Sequence, residues 1–138
     1  MLEQEPLTIS AESYLDVIHD LSHKGPVRSV DVAERLGVSK VSVNKALRVL
    51  KQAGYVVQQP YQCIELTEAG IRHAHRITWR HEVTRSFLCD VLGVSEAIAD
   101  ADACRIEHVI SDETVARLEA FVQSEMKKRR EDRRQDLP

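Results

Sequence analysis

Cys104, Glu107 and His108 stand at positions i, i+3 and i+4, so a helix carrying them turns a thiol, a carboxylate and an imidazole toward one point. A thiolate is a soft ligand, an imidazole borderline and a carboxylate hard, a mixture that suits a divalent first-row transition metal better than magnesium or calcium. Three residues of one helix cannot close a coordination shell. Further ligands must come from elsewhere, and the candidates are His81, in the middle of a long predicted helix, and Asp16 or Ser13 in the first one. For a lone C-x-x-E-H the competing reading is an ordinary helix with a buried cysteine and exposed charges, and His81 taken alone reads equally well as a packed or solvated histidine.

A second pattern lies upstream, at about residues 29–53. A short helix over Ser29 to Leu36, a turn glycine at Gly37 and a helix opening at Ser39 form a helix-turn-helix. Val43, Ala46, Leu47 and Leu50 occupy i, i+3, i+4 and i+7, which fixes a buried stripe and sends Lys40, Ser42, Asn44, Lys45, Arg48 and Lys51 to solvent. Gly54 ends that helix, and Tyr55 to Val57 and Cys63 to Leu66 read as two antiparallel strands joined by a turn containing Pro60. Two short strands directly after the helix make a wing. In the nucleic-acid reading, Ser39, Lys40, Val41, Ser42 and Lys45 enter the major groove, where hydroxyls and amines meet base edges and valine meets a thymine methyl. Asn44, Arg48 and Lys51 then lie nearer the backbone, with Gln59, Tyr61 or Gln62 of the wing on phosphate or in the minor groove.

The remaining elements are helical. Ser10 is the expected cap of a first helix ending near His23, with Tyr14, Leu15, Ile18 and Leu21 on its inner face. Thr67 caps a long helix reaching about Leu92, Gly93 breaks it, Ser95 opens a helix to about Ile110, and Ser111 or Asp112 opens another through Val122. Lys127 to Pro138 is a charge run expected to fray. The fold class is thus mainly α, a winged helix-turn-helix DNA-binding domain over residues 1–70 followed by a helical dimerisation and metal-binding domain over residues 71–138. Small helical lobes have little core of their own, so self-association is expected, and a homodimer lets two winged helices meet two half-sites.

Composition agrees with this division. The net charge of -3 argues weakly against nucleic acid as a whole-chain quantity, but the charge is segregated: seven basic residues face Asp31 and Glu34 between Lys24 and Gly54, and ten acidic residues face three arginines between Glu82 and Glu125. One stretch suits phosphate, the other cations. No apolar run approaches the roughly 18 to 20 residues of a membrane span, and the first residues lack a secretory pattern, so a cytoplasmic protein with no membrane partner is expected. Cys63, Cys89 and Cys104 form no C-x-x-C and are expected as reduced thiols, Cys63 and Cys89 in packing roles. His19, His23, His73 and His75 have no comparable partners at useful spacing and stay unassigned.

Ala103 to Glu113, Trp79-Arg80-His81 and Asp31 to Leu36 carry a resemblance that spans Ser10 to about Phe121. The chain resembles the diphtheria-toxin-repressor and manganese-transport-regulator family of bacterial metal-dependent repressors. The resemblance implies that Cys104, Glu107 and His108 are interhelix metal ligands, that His81 is a further one, and that Ser13 and Asp16 fill the first-helix ligand positions. Asp16 is shorter than the glutamate of the manganese type but still able to ligate, whereas Ser13 is a poor ligand. The chain is similar in length to the manganese type, the iron type usually adding an SH3-like domain, yet Cys104 is an iron-type residue. Arg85 and Asp100 replace a glutamate and a histidine of the iron type's ancillary site. The implied cofactor is Mn(II) or Fe(II), and the implied function is repression of metal-uptake and homeostasis genes by binding operator DNA.

In that reading the metal ties Asp16 to the acidic cluster, relieves repulsion among Asp100, Asp102 and Glu107, and sets the half-site spacing. Two rival classes remain: a metal-independent winged-helix module for DNA or protein, and a small metalloenzyme. The second has little support, because no nucleophile elbow, phosphate loop or H-E-x-x-H is present and there is little room for an organic substrate. No enzyme activity is expected.

Overall fold

A computed structural model describes residues 7–136, and its contacts divide the chain into two units between Ile77 and Thr78. The first unit is built on three helices: α1 (Ile9–Ser22), α2 (Ser29–Leu36) and α3 (Lys40–Gln52). Thr8, in an extended conformation, caps α1 by accepting from the Ala11 amide at 3.1 Å. The expected cap, Ser10, is already helical, so the start lies two residues earlier. Leu15 and Ile18 of α1, Val32 of α2 and Val43, Leu47 and Leu50 of α3 form the core, with the stripe of α3 where its spacing predicts it. Each such aliphatic side chain removed from water contributes roughly 1.5–3 kcal/mol.

Gly37 makes the turn between α2 and α3 with φ 66°, a left-handed conformation that a side chain resists. Ser39 then caps α3, its Oγ accepting from the Ser42 amide at 3.2 Å. Strands β1 (Val56–Val57) and β2 (Glu65–Leu66) pair antiparallel in the register Val56 to Leu66 and Val57 to Glu65. Val27, in the loop before α2, also bridges to Ile64, whose amide donates to the Val27 carbonyl at 2.8 Å. The base of the wing is thereby tied to the α1–α2 loop, a pairing the sequence reading lacks.

Thr67 caps α4 (Glu68–Ser86) as expected, and its hydroxyl also donates to the Gly54 carbonyl at 2.6 Å. Gly70 belongs to this junction: a Cβ there would stand 2.1 Å from the Tyr55 carbonyl oxygen, so only hydrogen fits. The first half of α4 completes the first unit, where His73 packs against the Tyr55 ring and places Nε2 2.9 Å from the buried Glu12 carboxylate.

The second unit holds the rest of α4, a π-helical turn (Phe87–Val91), α5 (Glu96–Ile106) and α6 (Asp112–Gln135). The expected single helix to Leu92 is interrupted. From Phe87 on, wide hydrogen-bonded rings replace the α pattern, as in Leu92 amide to Phe87 carbonyl at 3.1 Å and Val94 amide to Leu88 carbonyl at 2.9 Å. α5 ends at Ile106, four residues before the expected end. The Val109 and Ile110 amides both donate to the Ile106 carbonyl, closing a turn that lets Ser111 become extended and cap α6. α6 continues through Gln135, so the charge run expected to fray is helical that far, Leu137 and Pro138 lying outside the described residues. Arg129 holds it, pairing with Glu125 at 3.4 Å and donating to the Asp90 carbonyl at 2.5 Å. Ala99, Ala103 and Val115 are fully buried here, the small side chains leaving α5 room to pack.

Candidate metal centre and nucleic-acid surface

Cys104 lies in the last turn of α5, Glu107 follows as its C-terminal cap in the right-handed helical conformation, and His108 sits in the turn beyond. Because Glu107 keeps helical backbone angles, the i, i+3 relation with Cys104 survives the early end of the helix. His81 projects from α4 into the same region. Its Nδ1 is 2.8 Å from Glu107 Oε2 and 3.9 Å from Cys104 Sγ, and its Nε2 is 2.9 Å from Asp100 Oδ1. Glu107 extends its other oxygen to His108 Nε2, at 3.3 Å. Glu107 and His108 are nearly enclosed, while Asp100 and Cys104 open to solvent, so the group has a buried base and an open side.

Among the described residues, His81, Asp100 and Cys104 form a group whose ligand atoms all lie within 4.8 Å of one another. Nitrogen, oxygen and sulfur donors thus converge around His81, with Glu107 beside them, and this donor chemistry fits a divalent first-row transition ion. Neighbouring side chains hold the turn in place. Arg80 on α4 donates from Nε to Asp112 Oδ1 at 2.9 Å, pairs with the same carboxylate through a second nitrogen at 2.8 Å, and reaches the Glu107 carbonyl from Nη1 at 3.4 Å. Trp79 Nε1 donates to Glu119 Oε2 at 2.8 Å. Both contacts fix the angle of α4 to α6, and with it the direction from which His81 enters. Second contacts of this kind orient ligands.

Cys104 and Glu107 keep the spacing relation of one helical face, His108 meets Glu107 beside them, and His81, a candidate from another helix, reaches Glu107 and Cys104. Asp100 joins them, although the sequence marks it as a repelling acid and as a replacement at the iron type's ancillary site rather than as a ligand. Its spacing of i−4 from Cys104 on α5 is the signal that assigns it to this face. Asp16 and Ser13 lie on α1 in the first unit, both half-buried.

On the first unit, Lys40, Val41, Ser42, Asn44, Lys45, Arg48 and Lys51 are all exposed along α3. Val41 keeps 75% of its surface exposed, an apolar side chain that its own fold leaves uncovered. Ser39 is exposed as well, but its hydroxyl is engaged in the cap. In the wing, Gln59, Tyr61 and Gln62 are exposed, and Tyr61 has φ 62°. A hydrogen bond from the Gln62 amide to the Gln59 carbonyl at 3.0 Å shapes the tip. Among the described residues no helix is long and apolar enough to cross a membrane, and none of the three cysteines is in a disulfide.

Comparison with known proteins matches residues 6–64 to the family "Iron dependent repressor, N-terminal DNA binding domain" and residues 67–133 to "Iron dependent repressor, metal binding and dimerisation domain". The chain is 40% identical over 113 residues to the transcriptional regulator MntR of Salmonella typhimurium, covering 81% of this chain and 71% of that protein. It is 34% identical over 116 residues to an uncharacterized HTH-type transcriptional regulator of Methanocaldococcus jannaschii, covering 83% and 93%. Among solved structures, a manganese-dependent transcriptional repressor in complex with manganese aligns with TM-score 0.72 at 30% identity, covering 82% of this chain and 52% of that one. The manganese regulator SloR aligns with TM-score 0.73 at 26% identity, covering 85% and 55%. The chain spans about half the length of these solved structures.

Proposed function

Because the chain belongs to the iron dependent repressor family, we propose that it is a DNA-binding transcriptional repressor that senses Mn(II) or Fe(II) and controls genes of metal uptake and homeostasis. It works as a cytoplasmic homodimer on double-stranded operator DNA, and catalyses no reaction. The observation that carries this reading is the convergence of His81, Asp100, Cys104 and Glu107 within a domain whose family binds metal.

His81, Cys104, Glu107 and His108 hold the ion, with Asp100 on its open side. Asp16 is the ligand contributed by the first unit, and Ser13, with only a hydroxyl to offer, stands in the outer shell. The bound cation supplies positive charge among carboxylates that otherwise repel one another. Arg80 and Trp79 keep the ligands aligned whether or not the ion is present. On α3, Lys40, Val41, Ser42 and Lys45 read base edges, the exposed Val41 meeting a thymine methyl, while Ser39, by capping, sets the angle at which the helix enters the groove. Asn44, Arg48 and Lys51 neutralise phosphates, and Gln59, Tyr61 and Gln62 extend the footprint from the wing.

Operator binding measured under anaerobic conditions with manganese, iron or chelator tests the reading. Added Mn(II) or Fe(II) is expected to raise operator affinity, and Cys104→Ala or His108→Ala to abolish that rise while leaving the fold and weak nonspecific binding intact. Operator binding insensitive to chelator would instead make the chain a metal-independent winged-helix module.

A further inference from the structure

His19 and His23 are one helical turn apart at the end of α1, and His23 keeps helical backbone angles as the cap. Their rings stand edge to face with centroids 4.7 Å apart, and the His19 ring meets that of His75, from α4, at 5.2 Å. The three imidazoles edge a cleft of about 550 Å³ in the first unit, which Ile64 and Glu65 of the wing base also line. His73 belongs to a different arrangement, its Nε2 being held by Glu12.

We propose that His19, His23 and His75 form a second metal site, selective for a late first-row divalent cation of the zinc, nickel and copper class, within the DNA-binding unit. Two imidazoles bound through one nitrogen each, at about 2.0–2.1 Å and a tetrahedral angle, keep their centroids about 5 Å apart. Two of the three separations, His19 to His23 and His19 to His75, are already of that size. His23 and His75 have still to turn toward each other, by rotation about side-chain torsions that are broad for histidine at two exposed positions. A pair of histidines at i and i+4 on one helix face presents two nitrogens to one ion, and the third ligand comes from another element.

Burial, followed by the neighbouring His23 and His75, lowers the pKa of His19 below its ordinary value, although Asp16 and Asp20 act in the opposite sense. Its imidazole is thus neutral, the ligating form, at neutral pH. Glu65, on the rim of the same cleft, provides a carboxylate for the fourth position. An all-imidazole core binds zinc, nickel and copper more tightly than manganese or iron, whereas the cluster around His81 mixes hard and soft donors. The two sites therefore differ in donor set, imidazole here against thiolate, carboxylate and imidazole around His81. An ion in this one joins the end of α1 to α4 beside β2, the strand that anchors the wing.

Equilibrium dialysis against zinc, and the visible spectrum of the cobalt-substituted protein, test the assignment in the full chain. A Cys104→Ala/His108→Ala variant is expected to retain a zinc equivalent, and its cobalt form to show ligand-field bands without sulfur charge transfer. Adding His19→Ala and His23→Ala should weaken that equivalent by at least about tenfold. The same two substitutions in the wild-type background should leave manganese-stimulated operator binding unchanged, which separates this site from the metal-dependent repressor reading. His75→Ala, at an exposed position of α4, provides an independent variant and should weaken the same equivalent. Zinc binding and cobalt spectra unaffected by any of these histidine substitutions would overturn the proposal.

Discussion

The chemistry of the candidate metal cluster turns on His81, whose two nitrogens face different carboxylates while a thiol approaches one of them. Asp100 sits on the exposed side at 2.9 Å, where the iron type of the family has a histidine. If it ligates, Asp100→Asn lowers manganese affinity by about tenfold without changing the thermal stability of the metal-free protein. Isothermal titration and thermal unfolding separate the two effects, and unchanged affinity would reduce Asp100 to a hydrogen-bond partner of His81. Gly70 gives a prediction about the frame. A methyl group there meets a backbone oxygen that cannot yield alone, so Gly70→Ala should destabilise the protein by about 3 kcal/mol, the upper part of the usual overpacking range. Denaturant unfolding with an unchanged midpoint would refute the close approach of α4 to Tyr55.

The elements most legible in the sequence are those governed by local rules. The stripe Val43, Ala46, Leu47 and Leu50 fixes the inner face of α3, Gly37 marks the turn, and Ser39 and Thr67 mark helix starts by residue type. Two of the misplaced boundaries, the ends of α4 and α6, involve distant contacts. The charged end of α6 looks like a fraying tail until Arg129 finds the Asp90 carbonyl, and the π turn at Phe87–Val91 lies where the end of α4 packs against α5 and α6. The cluster divides the same way. Cys104, Glu107 and His108 announce themselves by spacing and Asp100 could have been added by it, whereas His81 comes from another helix. His19 and His23 also have helical spacing, but His75, far along the chain, is what gives that pair a third member. For α3, its exposed face yields a graded expectation. Arg48→Ala should weaken binding to every duplex and reduce the slope of log affinity against log salt by about one, as a phosphate contact does. Lys45→Ala should weaken the operator more than random DNA, and equal losses on both would move Lys45 off the base edges.

At the level of the whole molecule, the chain joins a unit with a basic helix and wing to a unit with a mixed-donor cluster, and its function requires that binding at one be felt at the other. Thermodynamic linkage makes this requirement reciprocal: whatever factor the metal adds to operator affinity, the operator must add to metal affinity, typically about 1–3 kcal/mol of coupling. Manganese affinity should therefore be measured in the presence and absence of operator DNA, in the same buffer and at the same salt. The account predicts a higher affinity on DNA, by the same factor by which saturating manganese tightens operator binding, and loss of that difference in Cys104→Ala. Equal manganese affinities with and without operator would contradict it.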